Sequence, residues 1–354
     1  MLPVIEFVLG VALLVYSAEK LIGYLVGIAS RWAVSLFLVA VVFTGIEFDD
    51  VAYGTVLNVG GQPQVALGTV IGTSVAMTGI VLALAALVAP CRVDVPRGYL
   101  VLLVAAPVVL LVVALAGMLT VATGVVLLVL FVASVAWIGR REYVSRRPVF
   151  RSAEVYEQLE KVGAGARAAA RAVAPTGHFD LPHDLRVDQG FLRARRRTAW
   201  GGLALAVLAL AGLVVGAVVA GRATGGVLET FGIDGTVFGV TIATLALSLE
   251  DVFLTVEPAR RGAPEIGVAN VIGSVVFSVT GKLGIVLVAG GAIVVDDDVL
   301  TWHLPVLLVT TVLAAAFLAT GRLRRWHGVV LLGLYVAYFV VSLVAFGGVP
   351  LDAD

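Results

Sequence analysis

The stretch from Val240 to Lys282 repeats an earlier stretch of the same chain that begins at Val39. An offset of 201 residues places Asp50 on Asp251 and Pro63 on Pro264 without any gap. Matches between aliphatic residues carry little weight in so apolar a sequence, whereas matched Asp, Gly and Pro residues do. The repeat indicates a chain built from two related halves.

The composition, 60% hydrophobic and 14% charged, excludes an ordinary water-soluble domain. Ten apolar stretches are each long enough to cross about 30 Å of hydrocarbon as a helix, with five on either side of a polar loop. We therefore predict an all-α polytopic membrane protein with ten transmembrane helices. The predicted spans are 3–28, 32–58, 64–89, 98–116, 119–138, 199–220, 233–257, 265–291, 300–319 and 327–346.

The spans divide the chain into a first five-helix repeat (1–138), a loop (139–198) and a second five-helix repeat (199–354). Because five is odd, the second repeat enters the membrane opposite to the first, so the repeats are inverted. Lys and Arg concentrate in the connections on one side, and the other side holds only Arg222. This asymmetry predicts an integral protein of the cell (plasma) membrane, with its N-terminus outside and its central loop in the cytoplasm.

The central loop is basic and Ala-rich, and we interpret it as a solvated segment. Its residues His178, Asp180, His183 and Asp184 have the chemistry of a metal site, but nothing in the repeat supports that alternative. The lone Cys91 excludes an intramolecular disulfide. The sequence predicts no cofactor and no nucleic-acid partner, and it leaves the oligomeric state open.

A charge at the bilayer centre costs about 2.5–3.5 kcal/mol, so acids at that depth mark a functional site. Five carboxylates lie well inside the second predicted helices: Glu47, Asp49, Asp50, Glu250 and Asp251. Glu47 and Asp50 share one helical face, and Ser248 and Asp251 occupy the matching face of the second repeat. Oxygen ligands without Cys or His favour calcium, sodium or similar hard ions. The candidate ligands are Asp50, Asp251, Glu47, Ser248, Thr73, Ser274, Glu250, Asp49 and Ser278.

Two small residues and one lysine of the third predicted helices are interpreted separately from the candidate ligands. Gly68 and Ser74, taken singly, indicate ordinary helix packing. Lys282, an intramembrane base, either replaces a bound monovalent cation or pairs with an acid, or else it snorkels to a water-filled entrance. The sequence leaves these alternatives for Lys282 open.

The predicted third helices carry the motifs Gly68-Thr69-Val70-Ile71-Gly72-Thr73-Ser74 and Ala269-Asn270-Val271-Ile272-Gly273-Ser274-Val275. They resemble the G-N-x-x-G-S-N motif of the calcium/cation antiporter superfamily, which includes sodium/calcium and proton/calcium exchangers. The resemblance extends over essentially all ten spans and implies two inverted five-helix halves. It places Asp50 and Asp251 where that family has ion-binding glutamates, and it also carries over Thr73, Ser274 and Ser248.

The second-helix motif G-T-S-L-P-E of that family is altered here. It becomes Ile46-Glu47-Phe48-Asp49-Asp50 and Leu247-Ser248-Leu249-Glu250-Asp251, so acids replace both prolines. A helix without that proline need not kink. The altered motif therefore leaves open whether the second helices kink and expose the backbone carbonyl ligands that the family gains there.

These observations predict a secondary-active antiporter, not an enzyme, that exchanges calcium for sodium or protons by alternating access at a midplane carboxylate site. Its partners are small inorganic cations and the lipid bilayer. An antiporter of sodium, potassium, magnesium or manganese against protons is the first alternative. Different classes are an intramembrane aspartyl protease, which the absence of a Gly-x-Gly-Asp setting disfavours, and a passive cation channel or transport-dead relative.

Overall fold

The computed structural model describes residues 2–29, 47–145, 199–260 and 264–346. Within these ranges the chain is helical apart from four two-residue strands. The first repeat contains α1 (Leu2–Ala29), α2 (Phe48–Val59), α3 (Pro63–Ala76), α4 (Leu82–Val88), α5 (Arg97–Ala114) and α6 (Val121–Ser145). The second contains α7 (Ala199–Phe231), α8 (Gly235–Phe238), α9 (Thr244–Leu247), α10 (Leu249–Arg260), α11 (Pro264–Val276), α12 (Leu283–Gly290), α13 (Leu304–Ala319) and α14 (Arg325–Val341).

Eight helical segments of the described residues are long and apolar enough to cross a membrane, and a bent pair of helices makes a ninth. α2 is the described part of the predicted span 32–58. The all-α fold of ten helices in two inverted repeats is confirmed. The central-loop residues discussed above lie outside the described ranges.

Two predicted boundaries differ from the structure. The span predicted at 199–220 continues to Phe231, and the span predicted at 119–138 becomes a helix that reaches Ser145. Both extensions carry charged residues, such as Arg222 and Arg140. Hydropathy detects the part of a helix that lies in hydrocarbon, whereas the helix itself continues into the polar region.

The third helix of each repeat contains a π turn at the same aligned position. Met77–Val81 joins α3 to α4, and Phe277–Lys282 joins α11 to α12. Further π turns lie at Gly239–Ala243, Val299–His303 and Ser342–Phe346. A π turn inserts one residue into a helix and is frequent at functional sites. Lys282 is the last residue of its turn.

The four strands are β1 (Cys91–Arg92), β2 (Met118–Leu119), β3 (Ile293–Val294) and β4 (Arg322–Leu323). They form two antiparallel ladders, β1 with β4 and β2 with β3, so each ladder joins a loop of one repeat to a loop of the other. The strands of each ladder come from loops that the sequence places on the same side of the membrane. The ladders therefore fit an inverted pair of repeats.

The central layer consists of the third helices, almost all of whose side chains are buried. α1 packs along α7 with close backbone approach: a Cβ on Gly10 would lie 2.5 Å from the Ala220 backbone nitrogen. Such contacts between small residues are typical of helix packing in membranes. Apolar side chains such as Val101, Val132 and Leu208 are exposed on the outer helices, as expected of a surface that faces lipid.

Candidate cation site

In each repeat a helix begins immediately after the same aligned position, Glu47 in the first and Ser248 in the second. Glu47 has extended backbone (φ −88°, ψ 95°) immediately before α2. In the second repeat Ser248 separates α9 from α10, and the two parts of that helix differ in direction by 49°. The carbonyls of Glu47 and Ser248 accept equivalent hydrogen bonds, from the amides of Val51 at 3.1 Å and Val252 at 3.3 Å.

The sequence left open whether these spans kink without the proline, and neither span is one straight helix: Glu47 is extended, and the helix of the second repeat bends at Ser248. The breaks place Asp49 and Asp50 in the first turn of α2, and Glu250 and Asp251 in the first turn of α10. A helix N-terminus carries unpaired backbone N–H groups and a partial positive charge, which stabilise carboxylates there. The acids that replace the prolines thus lie where a broken helix best accommodates negative charge, and broken helices of this kind form the ion sites of transporters.

Asp50 lies in a tight polar cluster with the third helices of both repeats. The Lys282 ammonium contacts the Asp50 carboxylate and also donates to the Thr69 carbonyl at 3.3 Å and to Thr73 Oγ1 at 3.2 Å. The Thr73 hydroxyl in turn donates to Asp50 Oδ2 at 2.9 Å. Because Lys282 is fully buried, the snorkelling alternative is wrong, and the lysine pairs with an acid.

Asp251 lies in a different environment. Its Oδ1 accepts a hydrogen bond from Asn270 Nδ2 at 3.3 Å, and the same amide lies 3.5 Å from Thr255 Oγ1. Asn270 is the aligned counterpart of Thr69. The first acid is thus neutralised by an ammonium, while the second contacts an uncharged amide.

Several buried oxygen atoms of the predicted site have no hydrogen-bond partner within the described part of the chain. They are both carboxylate oxygens of Glu47 and the hydroxyls of Ser248, Ser274 and Ser278. Glu47 faces Ser274, and the side-chain charges that act on it most strongly are those of Asp251 and then Asp50. Glu47 of the first repeat therefore faces the acid and the hydroxyl of the second.

The structure brings most of the predicted ligands into one electrostatic cluster. Glu47, Asp49, Asp50 and Asp251 act on one another and are all within the field of Lys282. Glu250 is half-buried beside Asp251, whereas its aligned counterpart Asp49 is 9% exposed. Across the described ranges, no three His, Cys, Asp or Glu side chains lie close enough together to hold one metal ion. A cation here would therefore need hydroxyl and amide oxygens in addition to carboxylates.

Gly68 and Ser74 have the packing roles that the sequence indicated. A Cβ on Gly68 would lie 2.5 Å from the Thr236 carbonyl oxygen, and the Ser74 hydroxyl donates to the Val70 carbonyl at 3.0 Å. Thr69 contributes its backbone carbonyl, which leaves no mark in a sequence, and Thr255 contributes a side-chain hydroxyl that was not predicted. Asn270 had a signal, because it belongs to the third-helix motif.

A profile of the sodium/calcium exchanger protein family matches residues 2–139 and 201–344 of the chain. The chain belongs to this family. The match and the apolar helices together make it an integral membrane protein whose family transports small cations. Relatives with a named activity are exchangers, which are transporters and not enzymes.

The similarity to individual exchangers varies in extent. The sodium/calcium exchanger MaX1 of Methanosarcina acetivorans is 34% identical over 139 residues, which cover 38% of this chain and 39% of that protein. The uncharacterized membrane protein MJ0091 of Methanocaldococcus jannaschii is 24% identical over 93% of this chain and 94% of its own length. A solved structure of the sodium-calcium exchanger NCX_Mj shares the fold, with a TM-score of 0.56 and 20% identity over 96% of this chain and 98% of that one.

Proposed function

We propose that this member of the sodium/calcium exchanger family is a secondary-active antiporter that exchanges calcium for sodium ions or protons by alternating access. The observation that carries the proposal is a group of buried oxygens, on Glu47, Ser248, Ser274 and Ser278, that have no hydrogen-bond partner among the residues the structure describes. A buried polar atom without a partner costs about 1–3 kcal/mol, and more if it is charged. A hard cation bound among these oxygens supplies the missing interaction.

Each proposed ligand has a defined place in the broken-helix arrangement. Asp50 and Asp251 are the central carboxylates; Asp50 and Thr73 hold the Lys282 ammonium, and Ser274 is the hydroxyl that faces Glu47. Glu47 and Ser248 occupy the helix breaks, with Asp49, Glu250 and Ser278 beside them. Alternating access requires the site to lie between two repeats that move against each other, and the crossed placement of Glu47 and Lys282 meets that requirement.

Calcium is favoured as the substrate for two reasons. Multiple carboxylates with hydroxyl and amide oxygens form the ligand set that calcium takes in proteins. MaX1, named as a sodium/calcium exchanger, is also 34% identical over the aligned segment. The same scaffold would serve sodium, potassium, magnesium or manganese in exchange for protons, and the transport assay below distinguishes these ions. The reaction needs no resident cofactor and no covalent step.

We further propose that the N-terminus faces outside the cell and that the loop 139–198 lies in the cytoplasm, between repeats at 1–138 and 199–354. The concentration of basic residues on one side supports this orientation. Labelling of an Asp297→Cys protein, in a Cys91→Ser background, tests it in intact cells. A membrane-impermeant maleimide should react without permeabilisation, because Asp297 is exposed in a loop assigned to the outside. Reaction only after permeabilisation would reverse the assigned orientation.

Calcium uptake into proteoliposomes tests the function. An outward sodium gradient or a pH gradient should drive uptake, and Asp251→Asn should abolish it while the protein remains monodisperse. Asp297→Asn changes an exposed acid and should retain full uptake. Uptake that is unchanged in Asp50→Asn and Asp251→Asn would remove these residues from the site. Calcium flux without an exchanged ion on the opposite side would indicate a channel, and absence of flux a transport-dead relative.

A further inference from the structure

Lys282 is a buried cation at the centre of the site, and the exchange proposed above assigns it no role. Its side chain is fully buried, and it extends from the third helix of the second repeat to the acid of the first. Burying an ammonium is costly unless it is paired and hydrogen-bonded, so its presence here calls for an explanation beyond packing.

The surroundings of the Lys282 ammonium form a complete set of oxygen contacts. It contacts the Asp50 carboxylate, the Thr69 carbonyl at 3.3 Å and Thr73 Oγ1 at 3.2 Å. One carboxylate, one backbone carbonyl and one hydroxyl are also the oxygen types that bind hard cations. An ammonium group has a single positive charge and three donors, and it therefore fills this oxygen set as a monovalent ion would.

Asp251, the acid of the second repeat, has no equivalent ammonium contact among the described residues. The residue aligned with Lys282 is Val81, which is fully buried in the corresponding π turn. Ser274, aligned with the lysine-bound Thr73, has no hydrogen-bond partner within the described ranges. The oxygens around Asp50 are thus satisfied by the Lys282 side chain, whereas those of Glu47 and Ser274 beside Asp251 are available to an ion.

We propose that Lys282 is a tethered cation that permanently occupies one cation subsite, at Asp50, Thr69 and Thr73. The exchange cycle then carries one mobile monovalent cation fewer than it would with an apolar residue at position 282. This inference rests on the proposed antiport, because it specifies how many coupling ions the same site takes. It assigns the mobile ions to the oxygens around Glu47, Asp251 and Ser274.

Sodium binding to purified protein is the first test, because it requires no transport. The melting temperature is measured in rising sodium chloride, with choline chloride as the control for ionic strength. Lys282→Met frees the subsite and should show a larger sodium-dependent rise in melting temperature than the wild type. Lys282→Met/Asp50→Asn lacks the carboxylate and should lose the additional rise. Lys282→Arg retains a tethered cation and should titrate as the wild type does.

Lys20→Met provides a matched control, since Lys20 pairs with Glu19 at 3.2 Å on α1 and is partly exposed. It should leave the sodium titration unchanged. Recovery of folded Lys282→Met only in the presence of sodium would also support the proposal. If that protein is not recovered, Lys282→Gln, which is neutral but keeps hydrogen bonding, undergoes the same titration. Equal sodium-dependent rises in the wild type and in the neutral variant would overturn the assignment.

The charge transported per calcium ion is the second test. Reversal potentials in proteoliposomes give this ratio, and Lys282→Met should countertransport one more monovalent cation per calcium than the wild type. An unchanged ratio, or folded Lys282→Met that neither binds additional sodium nor transports, would contradict a tethered cation. A wild type without exchange activity would refute the proposed function, whereas the sodium titration would still decide the role of Lys282.

Discussion

In the first repeat Asp50 contacts the Lys282 ammonium and the Thr73 hydroxyl, whereas in the second the aligned Asp251 accepts a hydrogen bond from the Asn270 amide. Both acids lie in the first turn of a helix that begins after a break at the same aligned position. The duplicated backbone thus supplies two equivalent places for a carboxylate. The Lys282 ammonium gives the place at Asp50 a fixed positive charge. The uncharged Asn270 amide leaves the place at Asp251 for a mobile ion.

Each repeat also contributes a side chain to the acid of the other repeat. Lys282 of the second repeat serves the acid of the first, and Glu47 of the first faces Ser274 and Asp251 of the second. A site assembled in this crossed way depends on how the repeats are positioned relative to each other. Movement of one repeat against the other would change both halves of the site together, which is what alternating access requires.

The largest difference between the repeats is expected in the loss of stability when each acid is replaced by asparagine. Asp50→Asn leaves the buried Lys282 ammonium without its counter-charge and should destabilise the protein by about 3–5 kcal/mol. Asp251→Asn weakens one hydrogen bond to an uncharged amide and should cost only about 0.5–1.5 kcal/mol. Unfolding in detergent without added calcium or sodium measures both. Equal losses would show that the two acids have the same environment, and Lys282→Met should recover part of the stability of Asp50→Asn.

The hydroxyls beside the acids should differ in the same direction: the loss of ion-free stability should be larger in Thr73→Val than in Ser274→Ala. Thr73→Val removes hydrogen bonds to two charged groups and should cost about 1.5–3 kcal/mol in ion-free protein. Ser274→Ala removes a hydroxyl without a partner among the described residues and should leave ion-free stability almost unchanged. In contrast, Ser274→Ala should reduce the rise in melting temperature that calcium produces. A large loss of ion-free stability in Ser274→Ala would mean that its hydroxyl is already bonded.

Packing of the third helices should also distinguish the repeats. At position 68 an added methyl group would meet the Thr236 carbonyl oxygen at 2.5 Å, so Gly68→Ala should destabilise by about 1–3 kcal/mol. The aligned Ala269 is buried and already carries that methyl group, and Ala269→Gly should cost about 0.5–1 kcal/mol. Gly333→Ala, at an exposed helical position with no atom within 4 Å of the added Cβ, serves as the control. Thermal unfolding that ranks Ala269→Gly as the more damaging change would contradict this difference.

The smallest expected effect is on how the melting temperature depends on pH. His303, with Nε2 3.6 Å from Asp298 Oδ2, lowers the pKa of Asp298. Since the folded pKa is depressed, the stabilisation is present above the unfolded value of about 3.9 and is lost as pH falls below it. Melting temperatures between about pH 2 and 5 should therefore fall less steeply in Asp298→Asn than in the wild type. Burial raises the pKa of Asp296 in the same loop, so only the difference between the two proteins is informative.

Hydropathy and the internal repeat predicted the fold because a bilayer requires long apolar helices and because duplication repeats their order. The third-helix motifs also indicated Thr73 and Ser274 correctly as neighbours of the acids. The start of a helix directly after Glu47 and after Ser248 was not predictable from proline, since neither helix has a proline at that point. The partner of Lys282 depended on contacts between repeats, which a sequence offset does not contain. Ion binding by each of the nine candidate ligands stays a prediction.

The position of a bound divalent ion tests the asymmetry of the site most directly. Anomalous scattering from strontium, in crystals of the wild-type protein, locates a calcium substitute without reliance on activity. We predict one strong peak within bonding distance of oxygens from Glu47, Asp251 and Ser274, with the Lys282 ammonium still in contact with Asp50. A peak between Asp50 and Thr73 with Lys282 displaced, or crystals without any peak near these acids, would contradict this assignment of the two repeats.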